Sequence, residues 1–199
     1  MRTVIINGFN RNNMCEITRA FFELRKRLFV DEMGWDIPND GHIECDQYDH
    51  EESTYCIILD KNKVVAGARI LPTTRNRDGW SYMIKDACEG KIAQIPSNLV
   101  ELPPIQIGTY EITRFTVDPT FDADYRNEVL RELSLSSYQT VATLGGQYAI
   151  ALMSPFFLRW FKQIGIAVEK LGPVVKGEES RYCVIGGYVE NIAAARYVA

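Results

Sequence analysis

The chain is predicted to be an α/β protein: a single domain over residues 1–199, a three-layer α-β-α sandwich around one mixed sheet. Three features predict it. A strand and a helix open the chain, a hairpin follows, and the second half alternates helix, strand, helix, strand. The helical stretches place apolar residues at three- and four-residue steps. At the centre lies Tyr110-Glu111-Ile112-Thr113-Arg114-Phe115-Thr116-Val117, rich in β-branched and aromatic residues and bounded by Pro103-Pro104 and Asp118-Pro119, as a buried strand would be.

Residues 3–7 read as a first strand, and 11–33 as a helix with Ile17, Phe21, Phe22, Leu24, Leu28 and Phe29 recurring on one side. Gly34 stops that helix, and Trp35 to Gly41 is loop. Thr54–Leu59 and Val64–Leu71 form a hairpin across Asp60-Lys61-Asn62-Lys63. Gly67 inside the second strand marks a bulge or a close backbone approach. Residues 76–109 are irregular, with a short helix at 84–88; loops of that length often cover a site. The longest helix runs from Asp122 to Gly145. A strand at 147–153, a helix at 156–164 begun by Pro155, strands at 166–171 and 182–189 and a short helix at 191–198 complete the order.

Hydrophobic residues make up 46% and charged residues 24% of the chain, the balance of a globular protein with a sizeable core. No apolar run reaches the roughly 18–20 residues of a membrane span, and the first residues do not form a signal peptide, so a cytoplasmic location is expected. The net charge of −4 argues against a nucleic-acid binder working through a broad basic face. Five cysteines without a CxxC pair suit reduced thiols. His42, Cys45 and His50 match no common zinc spacing, and no metal is expected.

The central strand carries two opposite charges, Glu111 and Arg114, and burying an unpaired charge is costly. If side chains alternate, Glu111 and Thr113 face one way and Ile112 and Arg114 the other. The charges pair within the core, sit at a solvated strand end, or face a polar pocket. Arg69, in an otherwise apolar strand, and the upstream Asp46 and Asp49 point to a charge network.

With these residues in view the chain resembles the LuxI-type acyl-homoserine-lactone synthases, from about residue 17 to 190. The landmarks are Leu24-Arg25-Lys26-Arg27-Leu28-Phe29 leading to Gly34-Trp35-Asp36, then Glu44-Cys45-Asp46-Gln47-Tyr48-Asp49, Ala68-Arg69-Ile70-Leu71-Pro72-Thr73-Thr74 and the central strand. The eight signature positions are Arg25, Phe29, Trp35, Asp46, Asp49, Arg69, Glu111 and Arg114. A tyrosine precedes Glu111 where tryptophan is more usual, and the segment from Thr74 to Tyr110 is rather long. The family's fold resembles the GNAT acetyltransferases, so a GNAT-like N-acyltransferase using acyl-CoA is the competing reading. A GNAT holds pyrophosphate on a Gly-rich turn opening a helix. Asp118 to Arg126 here has no glycine and three aspartates.

The resemblance implies a reaction between an acyl thioester, usually on acyl carrier protein, and S-adenosylmethionine. The amine attacks the thioester, and the methionyl carboxylate then closes the lactone and expels methylthioadenosine. S-adenosylmethionine is a substrate, and neither a cofactor nor a metal is required. Glu111 is the first candidate for the base. Asp46 and Asp49 orient the amine or hold Arg69 and Arg114, which are suited to carboxylates. Arg25, Phe29 and Trp35 build the S-adenosylmethionine pocket. Val141, Ala149, Ala151, Met153 and Phe157 are candidates for the acyl slot, and each also fits an ordinary core. Ala151 stands near where members making 3-oxoacyl signals often carry a threonine, which implies an unsubstituted chain. Arg159 and Lys162 share a helix face and would meet an acidic carrier protein; acyl-CoA is the other donor the family uses.

Overall fold

The computed structural model describes residues 1–177 and 180–192. Two compact units divide the chain, Met1–Ile70 with Arg114–Thr140, and Leu71–Thr113 with Val141–Ala199. Strands β3 (Lys63–Pro72) and β4 (Thr109–Val117) and helix α3 (Ala123–Thr143) contribute residues to both.

In the first unit, β1 (Arg2–Ile6) and β2 (Thr54–Asp60) pair antiparallel with Ile6 opposite Tyr55, and β2 pairs antiparallel with β3, Thr54 opposite Ile70. Lys61 and Asn62 both have positive φ, 46° and 65°, as a two-residue type I′ hairpin turn requires. The bulge of this hairpin lies at Ile58/Leu59. Gly67 instead marks a close approach: a Cβ there would lie 2.5 Å from Cε2 of Phe21. Phe21 is fully buried with Ile6, Tyr55, Ile57 and Leu59.

The expected helix over 11–33 is three joined pieces: a 3-10 turn at Arg11–Met14, helix α1 at Cys15–Lys26 and a π-helical turn at Arg27–Glu32. The Met33 amide reaches back five residues to the Leu28 carbonyl at 3.0 Å, and Gly34 ends the run with φ 69°.

In the second unit, helix α2 (Met83–Cys88) lies on the segment between β3 and β4. Strand β5 (Tyr148–Met153) pairs parallel with β4, Thr109 to Glu111 beside Tyr148 to Ile150, and antiparallel with β8 (Arg181–Tyr188). The sheet is therefore mixed, as expected. Tyr82, Ile84, Ala87, Leu99, Ile150, Val175 and Val184 form a buried cluster.

The strand expected over 166–171 shrinks to β6 at Glu169–Lys170. Residues before it cap helix α4 (Phe156–Gln163): Gly165 takes φ 80°, and the Ile166 amide bonds the Phe161 carbonyl at 2.8 Å. Strand β7 (Val175–Lys176) beside β8 was not foreseen. The expected terminal helix at 191–198 lies outside the described residues apart from a 3-10 turn at Val189–Ile192.

Candidate active site

The first unit holds a closed ring of alternating charges. Arg25 bonds Glu44 from Nε at 2.5 Å and Asp49 from both terminal nitrogens at 2.9 and 2.7 Å. Arg69 bonds both oxygens of Asp46, at 2.5 and 3.2 Å, and pairs with Asp49 at 3.0 Å. Arg114 closes the ring, donating to Glu44 at 2.9–3.2 Å and to Asp46 at 2.8 Å. Three guanidiniums and three carboxylates balance, so the charges can be buried together. Each arginine also lies over an aromatic ring: Arg25 over Phe22 at 4.7 Å, Arg69 over Tyr48 at 5.2 Å and Arg114 over Phe29 at 5.6 Å.

Burial opposes charge on Arg25 and Arg69, but Asp49, with Glu44 for the first and Asp46 for the second, outweighs it and raises both above the ordinary arginine value. Burial likewise opposes charge on Asp49, yet Arg69 and Arg25 hold its carboxyl well below the usual range. The Asp46 amide and the Tyr55 hydroxyl add hydrogen bonds to Asp49, both at 2.9 Å. Oxygens of Glu44, Asp46 and Asp49 converge within 4.8 Å of one another, close enough to hold a cation, but the three guanidiniums already face them. Burial and Asp49 push the Cys45 thiol up to about 11, so it is no thiolate nucleophile at neutral pH.

Phe29 and Trp35 stack with centroids 4.9 Å apart and planes 11° from parallel. The π turn carries Phe29, and the Trp35 amide bonds the Phe29 carbonyl at 2.9 Å. Trp35 is half-buried, so the pair offers an aromatic surface beside Arg114.

Strict alternation along β4 fails at Arg114, which has φ 51°. A non-glycine residue there costs about 1–3 kcal/mol and persists only when its surroundings fix it; the bonds to Glu44 and Asp46 do so here. Of the three placements open for the strand charges, Arg114 takes pairing within the core. Glu111 is fully buried in the second unit, its oxygens accepting the amides of Met83 at 2.9 Å and Ile84 at 2.8 Å.

Tyr110 pairs with Ala149 and Glu111 with Ile150 across the parallel strands. Ala149, Ala151 and Met153 thus share the Tyr110 face of β5, opposite to Glu111 and Ile150. Val141 joins that face: a Cβ on Gly146 would meet Val141 at 2.5 Å and the Tyr110 ring at 2.7 Å. Phe157 belongs to an aromatic group on α4, its ring 5.8 Å from those of Trp160 and Phe161. Arg159 and Lys162 are exposed on α4.

Sequence reasoning singled out every ring member except Glu44. A charge count could have found it, because three buried arginines need a third carboxylate beside Asp46 and Asp49. The amides that hold Glu111 left no signal, since 27 and 28 residues separate the partners.

The model of the autoinducer synthase family matches residues 9–185. An acyl-homoserine-lactone synthase of Pseudomonas aeruginosa is 28% identical over 159 residues, 77% of this chain and 71% of the relative. The structure of BjaI, a CoA-dependent acyl-homoserine lactone synthase with SAM and isopentyl-CoA, superposes with a TM-score of 0.78 at 22% identity, covering 96% of this chain and 86% of that one. An acyl-CoA N-acyltransferase from Pseudomonas aeruginosa superposes at 0.61 with 12% identity over 94% and 99% of the two chains. The two structural likenesses are of fold, the mixed α/β architecture expected from the sequence. The family match spans the whole charge ring, the aromatic pair and Glu111, and the chain belongs to the autoinducer synthase family.

Proposed function

We propose that the chain is an acyl-homoserine-lactone synthase: it acylates the amine of S-adenosylmethionine and closes the lactone with release of methylthioadenosine. The observation that carries this is the closed ring of Arg25, Glu44, Arg114, Asp46, Arg69 and Asp49 beside the Phe29–Trp35 stack, within the family match. The ring is a rigid, electrically balanced wall. Arg25, fully buried between Glu44 and Asp49, supports the pocket from behind. Trp35 and Phe29 meet the adenine and the sulfonium. Arg69, buried as fully as Arg25, holds Asp46 and Asp49 in place, and the partly exposed Arg114 orients the methionyl carboxylate.

The amine must lose a proton before it attacks. Glu44, Asp46 and Asp49 are each bonded to two guanidiniums and are committed to the ring, and Arg69 and Arg25 hold the Asp49 carboxyl well below the usual range. Glu111, whose oxygens accept the Met83 and Ile84 amides, is the proposed acceptor, directly or through water. The methionyl carboxylate then displaces methylthioadenosine from its own γ-carbon, with no cofactor or metal in the scheme. Ala149, Ala151 and Met153, with Val141 and Phe157, are the proposed acyl wall. Ala151 offers no side-chain hydrogen bond, which favours an unsubstituted chain.

Acyl carrier protein is the proposed donor, met by Arg159 and Lys162, with acyl-CoA the alternative. Among the described residues no helix is long and apolar enough to cross a membrane, and the proposed reaction is cytoplasmic. Thiol release from acyl carrier protein and from acyl-CoA, with and without S-adenosylmethionine, tests the reading. We expect release only with S-adenosylmethionine, and a several-fold higher KM for carrier protein in Arg159→Glu/Lys162→Glu. An unchanged KM removes α4 from docking, and no release from either thioester overturns the synthase reading.

A further inference from the structure

The π-helical turn at Arg27–Glu32 directly continues α1; such turns are rare and frequent at functional sites. Each residue of an α-helix advances about 100° round the axis, so positions five apart stand roughly 140° from each other. In this turn they meet. Lys26 donates from Nζ to Asp31 at 2.7 Å, and the Met33 amide reaches the Leu28 carbonyl at 3.0 Å. The turn is also fastened to the sheet. Arg27 donates from a terminal nitrogen to Oδ2 of Asp118 at 2.8 Å, across 91 residues of chain. Neither Arg27 nor Asp118 belongs to the closed charge ring.

Asp118 is a firm anchor. It follows the last residue of β4, and its amide donates to the Val65 carbonyl on β3 at 2.9 Å. Its Oδ1 accepts the Thr120 amide at 3.0 Å and the Thr120 hydroxyl at 2.7 Å, which leaves Oδ2 directed at Arg27. Strand β4 grips the same turn a second time through Arg114, whose guanidinium lies over the Phe29 ring at 5.6 Å. Phe29 in turn stacks on Trp35 at 4.9 Å. We propose that Arg27 and Asp118 are positioning residues of the S-adenosylmethionine pocket: their ion pair fastens the π turn to the end of β4 in the register that sets the Phe29 ring against Arg114 and Trp35. The Lys26–Asp31 pair staples the turn on its own surface. Without the extra residue of the turn, each side chain beyond it would rotate by roughly 100° about the axis, and the Phe29 ring would leave Arg114. This rests on the reading of Phe29 and Trp35 as walls of that pocket.

Calorimetric binding of S-adenosylmethionine to the full chain, with steady-state kinetics, tests this. Asp118→Asn keeps the oxygen that accepts from Thr120 and removes the charge; Arg27→Gln removes the opposite charge. A partly exposed ion pair couples weakly, so each variant should weaken S-adenosylmethionine binding, and raise its KM, by about two- to five-fold. The kcat and the KM for the acyl donor should not change, whereas a merely destabilised fold would lower kcat through the active fraction. The double variant should bind no more weakly than either single one, and Arg27→Lys should restore most of the affinity. Salt screens such a pair, so the gap between wild type and Arg27→Gln should close at about 1 M salt. Additive losses in the double variant would mean that the two residues act separately, and wild-type affinity in both single variants would mean that the turn holds its register without them. Either result overturns the inference. A wild-type protein that binds no S-adenosylmethionine would overturn the pocket reading itself, and the inference with it.

Discussion

Asp49 sits between two arginines that are both buried, so removing its charge leaves two guanidiniums short of a partner. Asp49→Asn should cost about 3–5 kcal/mol at neutral pH, the range for breaking a buried pair, read by chemical denaturation. The pH dependence has a definite sign. The native carboxyl is held below its ordinary value of 3.8 by Arg69 and Arg25 against the cost of burial, so its contribution is fully present above that value. It is lost as pH falls through the lower native value. The stability curves of the wild type and of Asp49→Asn should therefore converge in acid; a gap that stays constant down to about pH 2 would contradict the ring. At this scale the sequence was legible where charge stood out against apolar neighbours, as at Arg69 and Arg114. It was silent where main chain does the work, as at the Met83 and Ile84 amides. The φ of 51° at Arg114 was equally invisible, because tertiary ion pairs impose it.

Whole elements were easier to read than their ends. The hairpin of β2 and β3, helix α3 and the central strand followed from periodicity and turn residues, forces that act within a few residues. The π turn after α1 did not, because one extra residue per turn leaves the apolar pattern nearly unchanged. The strand at 166–171 came out too long for a related reason: Ile166 has strand chemistry but is used in capping α4. Gly67 shows the opposite case, a signal read with two meanings that packing reduced to one. Gly67→Ala would drive a methyl into the buried Phe21 ring, and overpacking of this kind costs about 1–3 kcal/mol. Equilibrium unfolding should show that loss with activity per folded molecule retained; an unchanged midpoint would mean that Phe21 yields freely.

Across the whole molecule, the net charge of −4 argues against a broad basic face, so the exposed Arg159 and Lys162 on α4 are the proposed local patch for an acidic carrier protein. The α/β class, the mixed sheet and the family were legible because the chemistry-bearing residues sit in short, ordered runs along the chain. The acyl slot was not, since buried alanines and a methionine on β5 look the same whether they line a ligand or fill a core. The proposed chemistry is synthesis of an acyl-homoserine lactone with Glu111 as proton acceptor. Mass spectrometry of medium from a heterologous host expressing the wild type or Glu111→Gln reads both the product and the role of Glu111. We expect an N-acyl-homoserine lactone with an unsubstituted acyl chain from the wild type, reduced at least about 100-fold in the variant, as loss of a general base would reduce it. A lactone produced equally by both would rule out Glu111 as acceptor, and one produced by neither when an acyl donor and S-adenosylmethionine are supplied would rule out the synthase reaction.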